Sequence, residues 1–439
     1  MNGQPVTTPA VHCPALFIAG IASGQGKTTV TAALARLHTR QGRCVRVFKI
    51  GPDFLDPMIL EAACGHPVEN LDLWMVGSLR SRALLYQAAQ QADLILIEGA
   101  MGLFDGKPSG ADLAVAFGVP VAAVIDAGAM AETFGALALG LKHYRATPFA
   151  GVVANRVASP GHRDMLLQSL PVDIPLIAAI GCSDSPLPER HLGLVQASEL
   201  PDLVVRLDAL ADLVEAGGFT ALPPTVSFAS SSAEPLPPRL SGLTIAVARD
   251  AAFSFIYPSN LATLTGLGAC VTFFSPLANE AVPDADALWL PGGYPELHAE
   301  TLSGASRWLS SVRSLYAAGK PILAECGGMM ALAESLETVD GKVYGMAGLV
   351  PGRTVMQKRL AVIGMMGVTL SDDSAALRGH AFHYSRFETK LDPWLRTTRT
   401  GDQQPGEAVY RLGSITASYF HAYFASNPDA IADVLTAVC

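Results

Sequence analysis

The chain opens into short continuous apolar runs separated by segments of helical spacing. Ala15 to Ala19, Cys44 to Ile50, Asp93 to Ile97, Pro120 to Ile125 and Phe149 to Ala154 read as buried strands of the parallel type. Pro171 to Ile180 reads as a shorter strand between prolines. Val30 to His38, Met130 to Lys142 and Leu203 to Ala216 carry helical spacing. Over Gly217 to Gly242 the period is lost, and Pro223-Pro224, Ser230-Ser231-Ser232 and Pro237-Pro238 mark a linker. A second alternating unit starts at Leu243. Its strands are Leu243 to Ala248, Ala269 to Phe274, Ala287 to Leu290 and Pro321 to Ala324, with a helix through Trp308 and Tyr316. Further β-rich runs, Leu360 to Leu370, Gly379 to Phe387 and Ile415 to Phe420, predict a mixed sheet. The pattern therefore predicts an α/β protein with one domain over 12–216, a linker over 217–242 and a second domain over 243–439.

Composition sharpens this reading. The 439 residues exceed what one hydrophobic core usually serves, and 50% are apolar against 16% charged. The net charge of −9 argues against a nucleic-acid partner, while an anionic small substrate needs only a local basic patch. The run nearest to a membrane span, Val119 to Leu141, contains Asp126 and Glu132, so no membrane segment is expected. Met1 to Pro14 is polar and proline-containing, unlike a signal peptide. Seven scattered cysteines without metal-type pair spacing fit a reduced, cytoplasmic protein.

Candidate chemistry concentrates at two turns. The first is Gly20-Ile21-Ala22-Ser23-Gly24-Gln25-Gly26-Lys27-Thr28-Thr29, between an apolar strand and a helix. Its spacing is that of a phosphate-binding loop. Gly24 and Gly26 let backbone N–H groups curl toward phosphate oxygens. Lys27 supplies a charge for the β/γ-phosphates, and Thr28 a hydroxyl for Mg²⁺. Gly20, Ser23, Gln25 and Thr29 complete the nucleotide stretch. Acids follow at other strand ends: Asp53 and Asp56 after Cys44 to Ile50, Glu98 after Asp93 to Ile97, and Asp105 in the glycine-rich turn beyond. Asp53 and Glu98 are candidates for Mg²⁺, Asp56 and Asp105 for the substrate, and the Asn155 amide for a purine edge.

The second turn is Glu325-Cys326-Gly327-Gly328, just past a buried strand and just before a helix. A thiol there is exposed by the turn and favoured as thiolate by the helix N-terminus. The N–H groups of Gly327 and Gly293 are candidate oxyanion donors. His421, after Ser418-Tyr419-Phe420, is the best base, with His380 and His383 as rivals. His383, Tyr384, Ser385 and Arg386 face a substrate in this reading, and Arg386 and Arg353 could meet carboxylates. Together the turns suggest ATP-driven amide formation with nitrogen released from glutamine.

Seven pieces carry a family resemblance: Ser23 to Thr29, Lys49 to Pro57, Glu98 to Gly106, Leu290 to Glu296, Glu325 to Gly328, Gly379 to Ser385 and Ser418 to His421. With them the chain, from about Ala15 to Pro428, resembles the cobyrinate/hydrogenobyrinate a,c-diamide synthases, a branch of the corrinoid amidotransferases. The resemblance implies a dethiobiotin-synthetase-like first half and a divergent class I glutamine amidotransferase second half. It implies amidation of the a and c acetates of a polycarboxylate corrin macrocycle, using ATP, Mg²⁺ and glutamine, through an acyl phosphate. It places Asp53, Glu98 and Asp105 in the pieces lining the ATP and substrate site. A homodimer is expected from the wider P-loop relatives.

Two positions depart from the relatives. The usual glutaminase His-x-Glu is here His421-Ala422-Tyr423, which leaves a dyad and implies weak basal glutaminase activity. Ala381 stands where many relatives have Glu. Rival readings are a nickel-sirohydrochlorin a,c-diamide synthase and, in another class, a P-loop partitioning switch. The switch leaves Cys326 and His421 without work, and a plain thiol hydrolase leaves Lys27 unexplained.

Overall fold

A computed structural model describes residues 9–184, 186–190, 193–231, 235–370 and 375–437. The N-terminal segment through residue 8, Ser185 and Ser232, on which parts of the sequence reading fall, lie outside the described residues. The chain divides into two compact units at residues 233/234.

The first unit is built on an eight-stranded sheet. Val11–Gly20 lies in its middle, with Leu94–Glu98 on one side and Val121–Asp126 on the other, both parallel to it. Val45–Ile50 and Glu69–Leu71 extend one edge, and Phe149–Val157 and Leu176–Gly181 the other. The apolar runs are continuous because helices cover the sheet. Leu16 and Ile18 pack with Val30 and Leu34 of the helix Lys27–Arg40, and with Leu207 and Leu210 of Leu203–Ala216. Burying each such side chain is worth about 1.5–3 kcal/mol.

Several boundaries differ from the sequence reading. The expected linker contains the strand Thr225–Phe228, which runs antiparallel to Val11–Pro14. Four residues between a proline pair and a serine run give too short a pattern to separate from a loop, so only the pairing reveals them. The strand expected from Pro171 begins at Leu176, after a turn in which Ile174 N donates to Pro171 O. The helix expected from Met130 begins at Thr133.

The second unit has a ten-stranded sheet. Cys270–Phe274, Thr244–Ala248, Ala287–Leu290, Ile322–Glu325 and Ile415–Ser418 run parallel, followed by antiparallel strands ending in Leu377–His383 and His421–Ala422. Alternation along Ala287–Leu290 serves both faces. Leu288 and Leu290 join Trp308 and Met329 in one core, while Trp289 joins Ile245 and Phe424 in the other. The run expected as one strand, Gly379 to Phe387, is two. Leu377–His383 stays in the large sheet, and Ser385–Glu388 pairs with Val350–Met356 in a separate four-stranded sheet. Period-two alternation is blind to a strand that changes partners.

Candidate functional site

The phosphate loop leaves the sheet at Gly20 and enters the helix at Lys27. Gly26 is left-handed (φ 88°), and a Cβ on it would lie 2.2 Å from Asn155 Nδ2. Only glycine fits there. The loop is pinned from two neighbouring strands. Asn155 Nδ2 donates to Gln25 O at 3.0 Å, and Asp126 N donates to Gln25 Oε1 at 2.9 Å. Asn155 Oδ1 in turn accepts from Arg156 N. The amide expected to meet a purine edge is thus engaged with the loop itself, as is Gln25. Gly24 and Ser23 are exposed at the loop tip, and Thr29 lines a cavity of about 300 Å³ with Gly26, Val30, Asn155 and Arg156.

Lys27 is 7% exposed and donates from Nζ to Ala22 O at 2.7 Å, across the loop. Burial, and then the charge of Lys49, holds its ammonium below the usual lysine range. Around it lies a charged cluster that sequence reading met only in parts. Lys49, opposite Glu98 in the parallel register, is the next-to-last residue of the strand Val45–Ile50. Its Nζ reaches Asp56 Oδ2 at 2.6 Å, Glu98 Oε1 at 3.0 Å and Asp53 Oδ2 at 3.7 Å. Burial opposes its charge, but Asp56, Glu98 and Asp53 override burial and raise its pKa. Lys49 was missed as a functional candidate; a lone lysine near the end of an apolar strand was the available signal.

Glu98 is fully buried, and burial pushes its carboxyl up to about 7 against the pull of Lys49. Its Oε1 accepts from Thr28 Oγ1 at 2.6 Å, while Oε2 is buried without a hydrogen-bond partner. Asp53 Oδ1 accepts from Leu55 N and Asp56 N, so it also holds the turn. Burial and then Asp56 raise Asp53, whereas Lys49, working against burial, lowers Asp56. An orphaned carboxylate oxygen, a hydroxyl and the Asp53 carboxylate beside a phosphate loop fit Mg²⁺, which takes one or two carboxylates and completes its shell with phosphate and water. Asp105 is exposed and accepts from Gly102 N through Oδ2, which closes its own turn.

In the second unit Cys326 sits between the strand Ile322–Glu325 and the helix Gly327–Leu332. Its φ of 45° and ψ of −103° are those of a strained elbow. Cys326 N donates to Ser418 O at 2.7 Å, which locks the elbow to the neighbouring strand. The thiol is buried, not exposed by the turn as the sequence suggested, and burial, then the charge of Glu296, pushes its pKa up, against the thiolate expected from the helix N-terminus. A Cβ on Gly327 would lie 3.0 Å from Gly293 N, so the two candidate oxyanion donors share one neighbourhood. A Cβ on Gly292 would lie 2.2 Å from His421 Cε1, so the imidazole packs directly on this turn.

His421 is buried, and burial, followed by His380 and His383, holds its pKa well below the ordinary value. His380 lies opposite it in the ladder and stacks on it, with centroids 5.0 Å apart and planes at 17°. Its Nδ1 is 3.1 Å from Tyr257 Oη. His383 is elsewhere engaged: Nδ1 meets Ser385 O at 2.8 Å, Nε2 meets Glu407 Oε1 at 3.3 Å, and its ring stacks on Tyr419. Ser385 Oγ donates to Tyr419 Oη, Tyr384 is half-buried, and Arg386 is exposed and paired with Glu388. Arg353 also pairs with Glu388. Of the four substrate residues expected in this unit, two are therefore buried in side-chain packing and the arginine is ion-paired.

Comparison with known proteins assigns both units. The family model described as CobQ/CobB/MinD/ParA nucleotide binding domain matches residues 16–186, and that described as CobB/CobQ-like glutamine amidotransferase domain matches residues 244–429. The class that fold and sites define is an ATP-dependent, glutamine-hydrolysing ligase. Hydrogenobyrinate a,c-diamide synthase of Stutzerimonas stutzeri is 56% identical over 97% of this chain and 99% of its own. The enzyme of that name from Pseudomonas aeruginosa is 55% identical (97% and 98%), and cobyrinate a,c-diamide synthase of Herminiimonas arsenicoxydans 51% (98% of each). The chain belongs to the hydrogenobyrinate/cobyrinate a,c-diamide synthase family.

Proposed function

We propose that this protein amidates the a and c acetate carboxylates of hydrogenobyrinic acid, the cobalt-free ring, with ATP and glutamine. The a,c-amidation of a hydrogenobyrinic or cobyrinic acid is the activity of its family. The names of the relatives at 56% and 55% identity support the cobalt-free ring. One observation supports the division of labour: in one unit Glu98 meets Thr28 and Lys49 beside the phosphate loop, and in the other the Gly292-Gly293 turn adjoins both the Cys326 elbow and His421.

In this reading residues 12–216 energise the acid and residues 243–439 release nitrogen. The loop N–H groups and Lys27 hold the triphosphate and neutralise charge on the transferring phosphoryl group. Thr28, Asp53 and Glu98 would hold Mg²⁺, which supplies further charge neutralisation when bound. Lys49 offsets the mutual repulsion of the three carboxylates. A macrocycle acetate oxygen takes the γ-phosphoryl group and ADP leaves; ammonia then displaces phosphate from the acyl phosphate.

Cys326 attacks the glutamine amide as His421 takes the thiol proton, and Gly293 and Gly327 N–H groups meet the oxyanion. His421 returns the proton to the leaving ammonia, and water then cleaves the thioester to glutamate. With thiol raised and imidazole lowered, both groups start neutral, so proton transfer accompanies attack. Slow basal glutamine hydrolysis follows. A cytoplasmic homodimer completes the reading; among the described residues no helix is long and apolar enough to cross a membrane.

The test compares nitrogen donors. Cys326→Ala abolishes glutamine-driven amidation and spares amidation with added ammonia, whereas Lys27→Ala removes product with either donor. Survival of ammonia-driven turnover in Lys27→Ala would sink the first assignment, and loss of both activities in Cys326→Ala the second. Mass spectrometry of products from hydrogenobyrinic acid, cobyrinic acid and nickel-sirohydrochlorin decides the ring.

A further inference from the structure

Glu325 ends the strand that leads to Cys326 and is 3% exposed. Both its oxygens are used. Oε2 accepts from Trp289 Nε1 at 2.8 Å, and Oε1 accepts from Ala422 N at 2.7 Å. Neither donor is charged. Burial raises its pKa to about 8, and the fold keeps this acid where it satisfies two N–H donors.

The partners are what give this acid meaning. Ala422 follows His421, and Glu325 precedes Cys326. The strand Ile415–Ser418 pairs beside Ile322–Glu325 with Ser418 opposite Glu325, and the same chain reaches His421–Ala422 three residues later. The Glu325–Ala422 bond holds that short segment against the end of the elbow strand. Trp289 belongs to the strand that ends in the Gly292-Gly293 turn, and this turn packs on the His421 ring and neighbours Gly327. A single carboxylate thus ties together the elbow, the strand carrying the imidazole and the turn carrying an oxyanion donor.

We infer that Glu325 is a positioning residue for the Cys326–His421 pair, acting through the main chain of Ala422 and through Trp289 in place of the acid that glutaminase triads carry two residues after the histidine. At that place this chain has Tyr423, whose ring packs edge-on against Tyr257. The inference rests on the glutaminase reading of Cys326 and His421. A side-chain acid would orient the imidazole ring directly. Glu325 instead fixes the backbone from which the ring projects, and fixes it to the elbow.

The chemistry selects the test. Two N–H donors converge on two oxygens, so Glu325→Gln keeps shape but sets an NH₂ group against one donor. A displacement of the imidazole near 1 Å costs about a hundredfold in rate. Glutamine hydrolysis by Glu325→Gln is therefore expected to lose about a hundredfold in kcat with little change in KM. Ammonia-driven amidation in the same preparation serves as the reference and stays at the wild-type rate. Alkylation of Cys326 by iodoacetamide slows in parallel, because the base no longer meets the thiol; a purely stabilising role would lower Tm and leave this rate alone. Trp289→Phe, which removes only the Nε1 donor, is expected to give the same split at smaller size. It carries the test if Glu325→Gln does not fold.

Wild-type glutamine turnover in either variant, or equal loss with both nitrogen donors, overturns the inference. Cys326→Ala assayed alongside keeps the two levels apart. If it still uses glutamine, the glutaminase reading itself fails. If it is dead while Glu325→Gln is fully active, only the role of Glu325 fails.

Discussion

Thr28 Oγ1 donates to Glu98 Oε1 at 2.6 Å, which joins the first turn of the loop helix to the end of an adjacent strand. The same oxygen receives Lys49 Nζ, and Oε2, buried without a hydrogen-bond partner, is the atom proposed for Mg²⁺. Glu98→Gln retains the shape and removes the anionic oxygen. We expect the Mg²⁺ concentration for half-maximal ammonia-driven amidation to rise at least about tenfold. Titration of Mg²⁺ at saturating ATP checks this, and an unchanged midpoint would remove Glu98 from the cation site.

Gly292 predicts a selective failure. An alanine Cβ at this position would sit 2.2 Å from His421 Cε1 and 2.9 Å from Nδ1, so the ring must move. Gly292→Ala is expected to lose about a hundredfold in glutamine-driven rate while ammonia-driven rate is kept. Equal loss with both donors would place the ring outside nitrogen release.

Stability should fall with acid, and His380 gives the sign. Burial lowers its pKa to about 3, from about 6.5 in the unfolded chain. Below pH 6.5 the unfolded state takes up a proton that the folded state refuses, so acid favours unfolding. The penalty is absent above about pH 6.5 and grows, by up to about 1.4 kcal/mol per pH unit, as pH falls toward 3. Urea unfolding at pH 7 and pH 5 is expected to show a larger loss for wild type than for His380→Phe. Equal losses would mean that His380 does not enter the fold as a neutral ring.

Much of this protein was readable before any coordinates. The phosphate loop lies in ten consecutive residues, and the elbow in four, so local spacing and glycine placement suffice to reveal them. The buried strands declared themselves as unbroken apolar runs. What failed were short or switching elements. Thr225–Phe228 is recognisable only by its pairing with Val11–Pro14, and the break at Tyr384 only by the different partners of the strands on either side. The Asn155 amide was read for its chemistry, yet its position against Gly26 commits it to the loop.

Sequence alone determined which chemical groups exist and which turns present them: a lysine and a threonine on a phosphate loop, a cysteine on an elbow, acids at strand ends. Tertiary structure decided which groups act together. Lys49 and Glu98 are 49 residues apart, and Glu325 and Ala422 are 97 apart. Each pair meets because strand order sets side by side segments that are far apart in the chain. A linear pattern records local periodicity, whereas such meetings are set by long-range pairing and the packing that holds it.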